Sequence, residues 1–278
     1  MDTRTCPVGK ILNPTTGRCV NIDGKIGRQI TKIHKSCPDD KILNTETGRC
    51  VKIDGKIGRK IAQKGVKTNN KVTKEFKQGK AEIDIYENFY DKSEADRIFD
   101  QLLKLGFEDS YVKIYGKKRM PRKMLWFSDN KDWTYVFSKN HIDGLKAHKF
   151  TKILNKIRQK VETQTGKRFN SLLINLYESG SDSVNWHSDD DPWLGDSFMV
   201  PSLSFGAERF FAIKENKKGS KGEKMLLKNG SMIVMKEMTQ KSHVHSVPKT
   251  KQKMGPRVNL TFRDVVPGLV SKQPNPAT

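Results

Sequence analysis

No stretch of about 18 consecutive apolar residues occurs anywhere in the 278-residue chain, which excludes a membrane-spanning helix. The opening MDTRTCPVGK also lacks the apolar segment of a secretory leader. A chain that is not secreted and works inside a cell, in nucleus or cytoplasm, is expected. Acidic residues are few beside basic ones, with 31 Asp+Glu against 53 Lys+Arg, a formal charge of +22 and a mean hydropathy of −0.70. That imbalance makes a polyanion, nucleic acid first, the default partner, although solubility or an anionic membrane surface would also accommodate it. Cysteine is scarce, and all four copies (Cys6, Cys19, Cys37, Cys50) fall near the start.

What is present divides the chain unevenly. Residues 1–80 hold 19 Lys+Arg against 7 Asp+Glu, a net +12, while the apolar periodic segments lie almost wholly beyond them. Residues 6–30, CPVGKILNPTTGRCVNIDGKIGRQI, align without gaps on 37–61, CPDDKILNTETGRCVKIDGKIGRKI, with 19 of 25 positions identical at an offset of 31. Units this short bury too little to fold unaided and call for a staple or a partner surface. No Cys-x2-Cys knuckle is present and only His34 lies nearby, which favours a hairpin disulfide over zinc. The expected organisation is one repeat in 1–35, a second in 36–64, a basic linker in 65–80, a globular domain in 81–268 and a tail in 269–278.

Within the globular part, the spacing predicts a helix capped by Ser93, with Ile98, Phe99, Leu102 and Leu103 on one face and Gly106 ending it. A second helix is predicted over about Leu145–Thr165, where Phe150, Ile153, Leu154, Ile157 and Val161 share a face ahead of Gly166. The period then shifts to two, in runs at 171–178, 200–213, 224–227, 231–236 and 257–263. Two helices leading into successive strands imply an α+β chain built on an antiparallel barrel or sandwich.

The chemistry concentrates in those strands. His187 and Asp189 are two residues apart, so on extended backbone they point the same way, and another histidine becomes available in Ser242-His243-Val244-His245. Two histidines and one carboxylate with positions left open suit a non-haem Fe(II) that works with dioxygen. Alternation over Arg257–Arg263 puts Arg257, Asn259, Thr261 and Arg263 on one side and Val258, Leu260 and Phe262 on the other. An edge strand with a wet face would do the same. The two arginines, ~20 Å apart on a straight strand, can also address the two ends of an elongated dianion, with Asn175 and Tyr177 beside them as donors.

From Val112 to Arg263 the sequence resembles the AlkB group of Fe(II)/2-oxoglutarate dioxygenases, and within it the branch of the second human AlkB homologue, which prefers duplex DNA. The motifs carrying the likeness are INLY at 174–177, HSDDD at 187–191, SLSFGAERFF at 202–211, HVHSVP at 243–248 and GPRVNLTFR at 255–263. The resemblance implies a double-stranded β-helix, a jelly roll flanked by helices. It implies iron held by His187, Asp189 and His245, with His245 preferred to His243 because it immediately precedes Ser-Val-Pro. It places Asn175, Tyr177, Arg257 and Thr261 around 2-oxoglutarate, with Arg263 at the carboxylate that chelates iron. The implied reaction consumes 2-oxoglutarate and dioxygen, gives succinate and CO2, and hydroxylates an N-methyl group that leaves as formaldehyde, restoring the base. Substrates such as 1-methyladenine and 3-methylcytosine in DNA follow, duplex first, with an RNA demethylase or a catalytically silent nucleic-acid-binding adaptor as alternatives.

A base must leave its stack to be reached. The resemblance makes Phe137 its stacking partner, opposite His187, with Tyr135 and Ser138 in the same lid segment. Asp190 and Asp191 are placed at the exocyclic amine, and Tyr115 at the tip of a hairpin that fills the gap in the duplex. Three basic clusters, Arg119/Arg122/Lys123, Lys217/Lys218/Lys221 and Lys249/Lys251/Lys253, are suited to phosphates. The repeats over 6–61 resemble two-cysteine adaptor repeats of large DNA viruses, which implies docking to an unknown protein partner and, if virus-encoded, residence in a host cell. A monomer with no membrane partner is expected.

Overall fold

The computed structural model describes residues 7, 10–12, 18–21, 24, 41–44, 49–52 and 55–57 of the repeat region, and 70–113, 117–135, 144–194 and 199–266 beyond it. The chain divides into two compact units, Met1–Lys67 and Thr68–Thr278.

In the first unit each repeat forms a small antiparallel hairpin, β1 (Lys10–Leu12) with β2 (Cys19–Asn21), and β3 (Lys41–Asn44) with β4 (Arg49–Lys52). The registers are the same 31 residues apart: Leu12 faces Cys19, and Leu43 faces Cys50. The turn that follows is repeated as well, with Gly24 N–H donating to Asn21 O at 3.0 Å and Gly55 N–H to Lys52 O at 3.1 Å. Cys19 and Cys50 each take part in a disulfide, the kind of covalent staple that units this short need. Cys6 and Cys37 lie outside the described residues.

The second unit begins with β5 (Lys74–Gln78) and β6 (Ala81–Tyr86), followed by helix α1 (Lys92–Leu102). A hairpin, β7 (Tyr111–Lys113) and β8 (Lys117–Arg119), precedes β9 (Lys123–Ser128), β10 (Thr134–Tyr135) and β11 (Leu145–His148). Helix α2 (Lys152–Thr165) leads into β12 (Ser171–Tyr177), β13 (Val184–His187), β14 (Val200–Gly206), β15 (Arg209–Glu215), β16 (Glu223–Leu227) and β17 (Ser231–Met235). A short helix α3 (Glu237–Ser242), then β18 (His243–Val247) and β19 (Arg257–Arg263), complete the order.

Nine strands form one sheet in the order β10-β11-β9-β12-β19-β14-β17-β6-β5, and four form another in the order β13-β18-β15-β16. From β12 onward the chain crosses from sheet to sheet at every connection except the β15–β16 hairpin, which is the winding of a jelly roll. Alternation explains the layers. Val258, Leu260 and Phe262 of β19, with Leu172, Ile174 and Leu176 of β12, enter one core with Ala95, Ile98 and Leu102 of α1 and Leu154, Ile157 and Val161 of α2. The opposite face carries a polar ladder across three neighbouring strands. Asn175, Asn259 and Ser204 lie in one row, and Tyr177, Arg257 and Gly206 in the next. Strand β19 is therefore central, and its polar side faces a buried interior rather than the solvent of an edge strand.

Four boundaries differ from the sequence expectation. Asp91, not Ser93, caps α1, because its carboxylate accepts Glu94 N–H at 2.8 Å and Ser93 falls inside the first turn. Helix α2 starts at Lys152 behind a Thr151 cap, since Leu145–His148 alternates with period two and pairs parallel with β9. Residues Lys74–Gln78, expected to be linker, form the edge strand β5 on β6; Phe76 packs inward while the lysines stay wet, the composition an edge strand needs and a linker shares. The apolar run at 200–213 is two strands in different sheets, broken at Gly206.

Gly206 has φ +85°, and a Cβ there would stand 2.5 Å from the Phe99 ring and 2.5 Å from Pro256 O. Gly206→Ala is expected to destabilise the unit by about 3 kcal/mol or more, from left-handed backbone strain plus overpacking. The urea midpoint of the variant measures this, and an unchanged midpoint would contradict it.

Candidate active site

His187 ends β13 and lies opposite His245 of β18 in the register, with ring centroids 4.3 Å apart. His187 Nδ1 is 2.8 Å from Asn185 O. A carbonyl can only accept, so Nδ1 carries the proton and Nε2 keeps its lone pair for a metal. Phe211 of β15 stacks on His245 at 5.1 Å and 21°, fixing that ring's plane. Asp189 lies two residues beyond the end of β13, where its backbone N–H donates to Gln240 Oε1 of α3 at 2.8 Å. One donor atom from each of His187, Asp189 and His245 falls within 4.8 Å of the others, and this is the one such group among the described residues. Two nitrogens and one carboxylate oxygen, converging from one side, fit Fe(II) with open positions.

The charges suit that use. Burial alone would push the Asp189 carboxyl up, but the Arg263 guanidinium and the two imidazoles outweigh it and hold it at about 2. Burial, helped by His187, pulls His245 down to about 3, and burial lowers His187 too, so both rings are neutral ligands at neutral pH. Arg263 Nη2 donates to Asp189 Oδ1, and its Nη1 donates to the Tyr135 hydroxyl at 2.6 Å. That hydroxyl also reaches Asp191 Oδ2 at 3.5 Å, and burial raises the Asp191 carboxyl to about 7 despite Arg263.

Arg257 is 2% exposed. Its Nη2 donates to Ser204 Oγ at 2.8 Å, the Tyr177 ring lies 5.2 Å from its guanidinium, and Nε and Nη1 have no partner. A buried cation with two unspent donors is costly unless an anion completes it. The cavity in front of it, about 490 Å³, runs to the His-Asp-His group, so both ends of a small dicarboxylate are provided for. Thr261 donates to Asn259 Oδ1 at 3.1 Å, and Asn259 Nδ2 donates to Ser202 Oγ at 2.8 Å, which ties the floor of the cavity together.

The structure thus gathers His187, Asp189, His245, Asn175, Tyr177, Arg257, Thr261, Arg263, Tyr135 and Asp191 around one cavity. Tyr135 plays two parts: its ring packs between Trp126 and Trp193 and its hydroxyl enters the site. Asp190 departs from expectation. It is exposed, accepts a hydrogen bond from Ser188 Oγ at 2.8 Å and lies outside the cavity lining. His243 is buried with its Nδ1 2.8 Å from Ser242 Oγ, apart from the metal group. Tyr115, Phe137 and Ser138 lie outside the described residues; β7 and β8, which flank Tyr115 in the sequence, pair antiparallel.

Sequence reasoning missed Arg122, Gln240 and Phe211. Arg122, which its sequence neighbours mark as a phosphate contact, lines the cavity and donates through Nε to Asn175 Oδ1 at 2.7 Å. Its expected companions are engaged internally: Arg119 with Asp109 at 2.9 Å, and Lys123 with Glu178 at 2.9 Å. Only the reading of Phe211 as an inward position of a period-two strand was available from the sequence.

A jelly roll with this donor set and a buried arginine opposite defines an Fe(II)- and 2-oxoglutarate-dependent oxygenase, and the profile of the 2OG-Fe(II) oxygenase superfamily matches residues 82–263. The chain is 33% identical over 204 residues to human alpha-ketoglutarate-dependent dioxygenase alkB homolog 3, covering 68% of each chain. To human DNA oxidative demethylase ALKBH2 it is 34% identical over 198 residues, 65% of this chain and 72% of that one. The solved structure of OsALKBH1 shares the fold at 19% identity, with a TM-score of 0.50 over 66% of this chain and 97% of that one. The chain belongs to the AlkB homologues of the 2OG-Fe(II) oxygenase superfamily, and its cofactors are Fe(II), 2-oxoglutarate and dioxygen.

Proposed function

We propose that this AlkB-type demethylase repairs nucleic acid, DNA in the first place, by oxidative removal of N-linked methyl groups from bases such as 1-methyladenine and 3-methylcytosine. The observation that carries the reading is the pairing of a complete His-Asp-His donor set with the unspent donors of Arg257 across one cavity. That complete set also argues against a silent binding protein. Relatives named as a DNA oxidative demethylase support the choice of substrate.

When bound at His187, Asp189 and His245, iron together with 2-oxoglutarate and dioxygen supplies the oxidation of a methyl C–H bond. The chain's own residues do the rest. Arg257, with Tyr177 and Asn175, receives the far carboxylate of 2-oxoglutarate in the charge-assisted geometry that arginine favours. Arg263 keeps Asp189 ionised and turned toward the metal position while it directs the Tyr135 hydroxyl. The flipped base lies against the His187 ring, with Phe137 on its other face, Ser138 and Tyr135 beside it and Asp191 at its exocyclic amine. The gap in a duplex is filled by Tyr115.

Formaldehyde release from matched methylated single-stranded DNA, duplex DNA and RNA tests this, with His187→Ala as the control. Turnover on RNA equal to or above that on DNA would replace the proposed substrate, and release by the control would refute the metal assignment. For the duplicated hairpins, we assign docking to a protein partner, on the strength of their identical register and stapled strands. Deleting residues 1–64 is the test: unaltered partner capture and unaltered nucleic-acid affinity would end that assignment.

A further inference from the structure

Trp186, immediately before His187, is 44% exposed, whereas Trp126 and Trp193 are buried. The reason lies in an irregularity of the strand. The register of β13 against β18 shifts between Val184 and His187, and this irregularity leaves Asn185 and Trp186 both exposed, with Trp186 lining the rim of the cavity beside His187. The four-stranded sheet has β13 at its edge and β15 two strands away, with Lys214 of β15 opposite Val244 of β18. The indole reaches across β18 to Lys214, whose Nζ sits 4.6 Å from the ring centre. Its Cη2 edge also meets the β15–β16 loop, where a Cβ on Gly222 would stand 3.4 Å from that atom.

That loop is densely basic and unspent. Lys217, Lys218 and Lys221 of the loop and Lys224 at the start of β16 are exposed, and none takes part in an ion pair among the described residues, unlike Arg119 and Lys123. An exposed indole held beside Lys214, next to a lysine-rich loop and one residue from the metal group, has the makeup of a single-strand platform: a flat face for a base and charge for its phosphates. A second copy of the chain would be repelled by that charge rather than drawn to it.

We propose that Trp186 is a stacking platform for an unpaired base flanking the one in the cavity, with the 217–224 lysines on its phosphates. The proposal rests on the nucleic-acid reading above and sharpens it, because a flanking base paired in a duplex cannot be shared with Trp186. Engagement of Trp186 therefore requires an unpaired neighbour, as in a single strand or a locally opened duplex.

The test uses the full chain, an unmethylated single-stranded oligonucleotide and its duplex, and three variants. Trp186→Leu keeps apolar bulk but not the π face and is expected to weaken single-strand binding roughly 5- to 100-fold, the span of one base–aromatic stack, with the duplex nearly unaffected. Trp186→Phe restores most of the loss. Lys221→Gln is expected to flatten the dependence of binding on salt by about one ion's worth. Single-strand affinity within twofold of wild type in Trp186→Leu would overturn the proposal, as would equal losses on both substrates. Loss of Co(II) binding in that variant would mark the indole as a prop for His187, and a Trp186-dependent dimer with unchanged oligonucleotide binding would mark it as a self-association surface; either result overturns the platform. If binding depends on Trp186 but no methylated substrate releases formaldehyde, the platform stands and the demethylase reading fails.

Discussion

Arg257→Met is expected to raise the melting temperature of the ligand-free enzyme while weakening 2-oxoglutarate binding by roughly 100-fold or more. The two effects have one cause. In the free enzyme the guanidinium is buried with Nε and Nη1 unsatisfied, and burial lowers its pKa. A buried cation without its anion is a liability, and replacement of such groups by apolar residues of similar size stabilises proteins by about 1–4 kcal/mol. Methionine fills the space with a flexible apolar chain, at the cost of one bond to Ser204 Oγ. Binding shows the other side, since removing one partner of a desolvated, charge-assisted pair costs about 2–5 kcal/mol. Differential scanning fluorimetry with and without 2-oxoglutarate reads both quantities in one experiment. A variant less stable than the parent, or one with unchanged 2-oxoglutarate affinity, would show that Arg257 is held for packing alone.

The largest loss of activity is expected from Asp189→Asn. The side chain keeps its shape and its ability to accept a hydrogen bond from Arg263, so geometry is nearly preserved. What disappears is the charge, and it serves two neighbours. Without it the metal position has only neutral donors, and Arg263 loses its main counter-ion, with Asp191 Oδ2 at 3.7 Å left as the remaining carboxylate. Iron affinity and turnover are expected to fall together by about 1,000-fold or more, beyond the 10- to 100-fold that outer partners of a metal site contribute. Stability is expected to fall by about 3 kcal/mol, the scale for leaving one member of a buried pair uncompensated. Co(II) titration followed by absorbance, with a urea melt, measures both. Near-normal metal affinity would remove Asp189 from the ligand set.

How far the sequence could be read depended on whether the signal was local. Alternation over Arg257–Arg263 separated the cavity face from the core face because a strand's period is two whatever sheet it joins. The same alternation could not say whether the polar side met water or a cavity, since that depends on β13, β15 and β18 packing above it. His187, Asp189 and His245 were legible as a motif. Gln240, which holds the Asp189 backbone, was not, because its position in a short helix 51 residues further along the chain carries no local mark. Arg122 looked like its neighbours Arg119 and Lys123. Only the long-range approach of Asn175, and of Glu178 to the other two, separates their fates. Asp190 and Asp191 are adjacent and identical, yet one is exposed and the other reaches Tyr135, a distinction set by the turn into Pro192–Leu194. The edge strand β5 passed for linker because solvent asks the same composition of both.

Strand β19 enters the large sheet between β12 and β14, and it emerges from the ribosome after every other strand described here. Until it arrives, the nascent domain holds two facing open edges in the middle of its main sheet, with the helices already able to cover one side. Arg257, Thr261 and Arg263 come with that strand, so sheet closure and assembly of the 2-oxoglutarate site are one event. A chain stopped before Arg257 would therefore present a gap ready to accept a strand from another molecule, and it would aggregate rather than persist as a partly active enzyme.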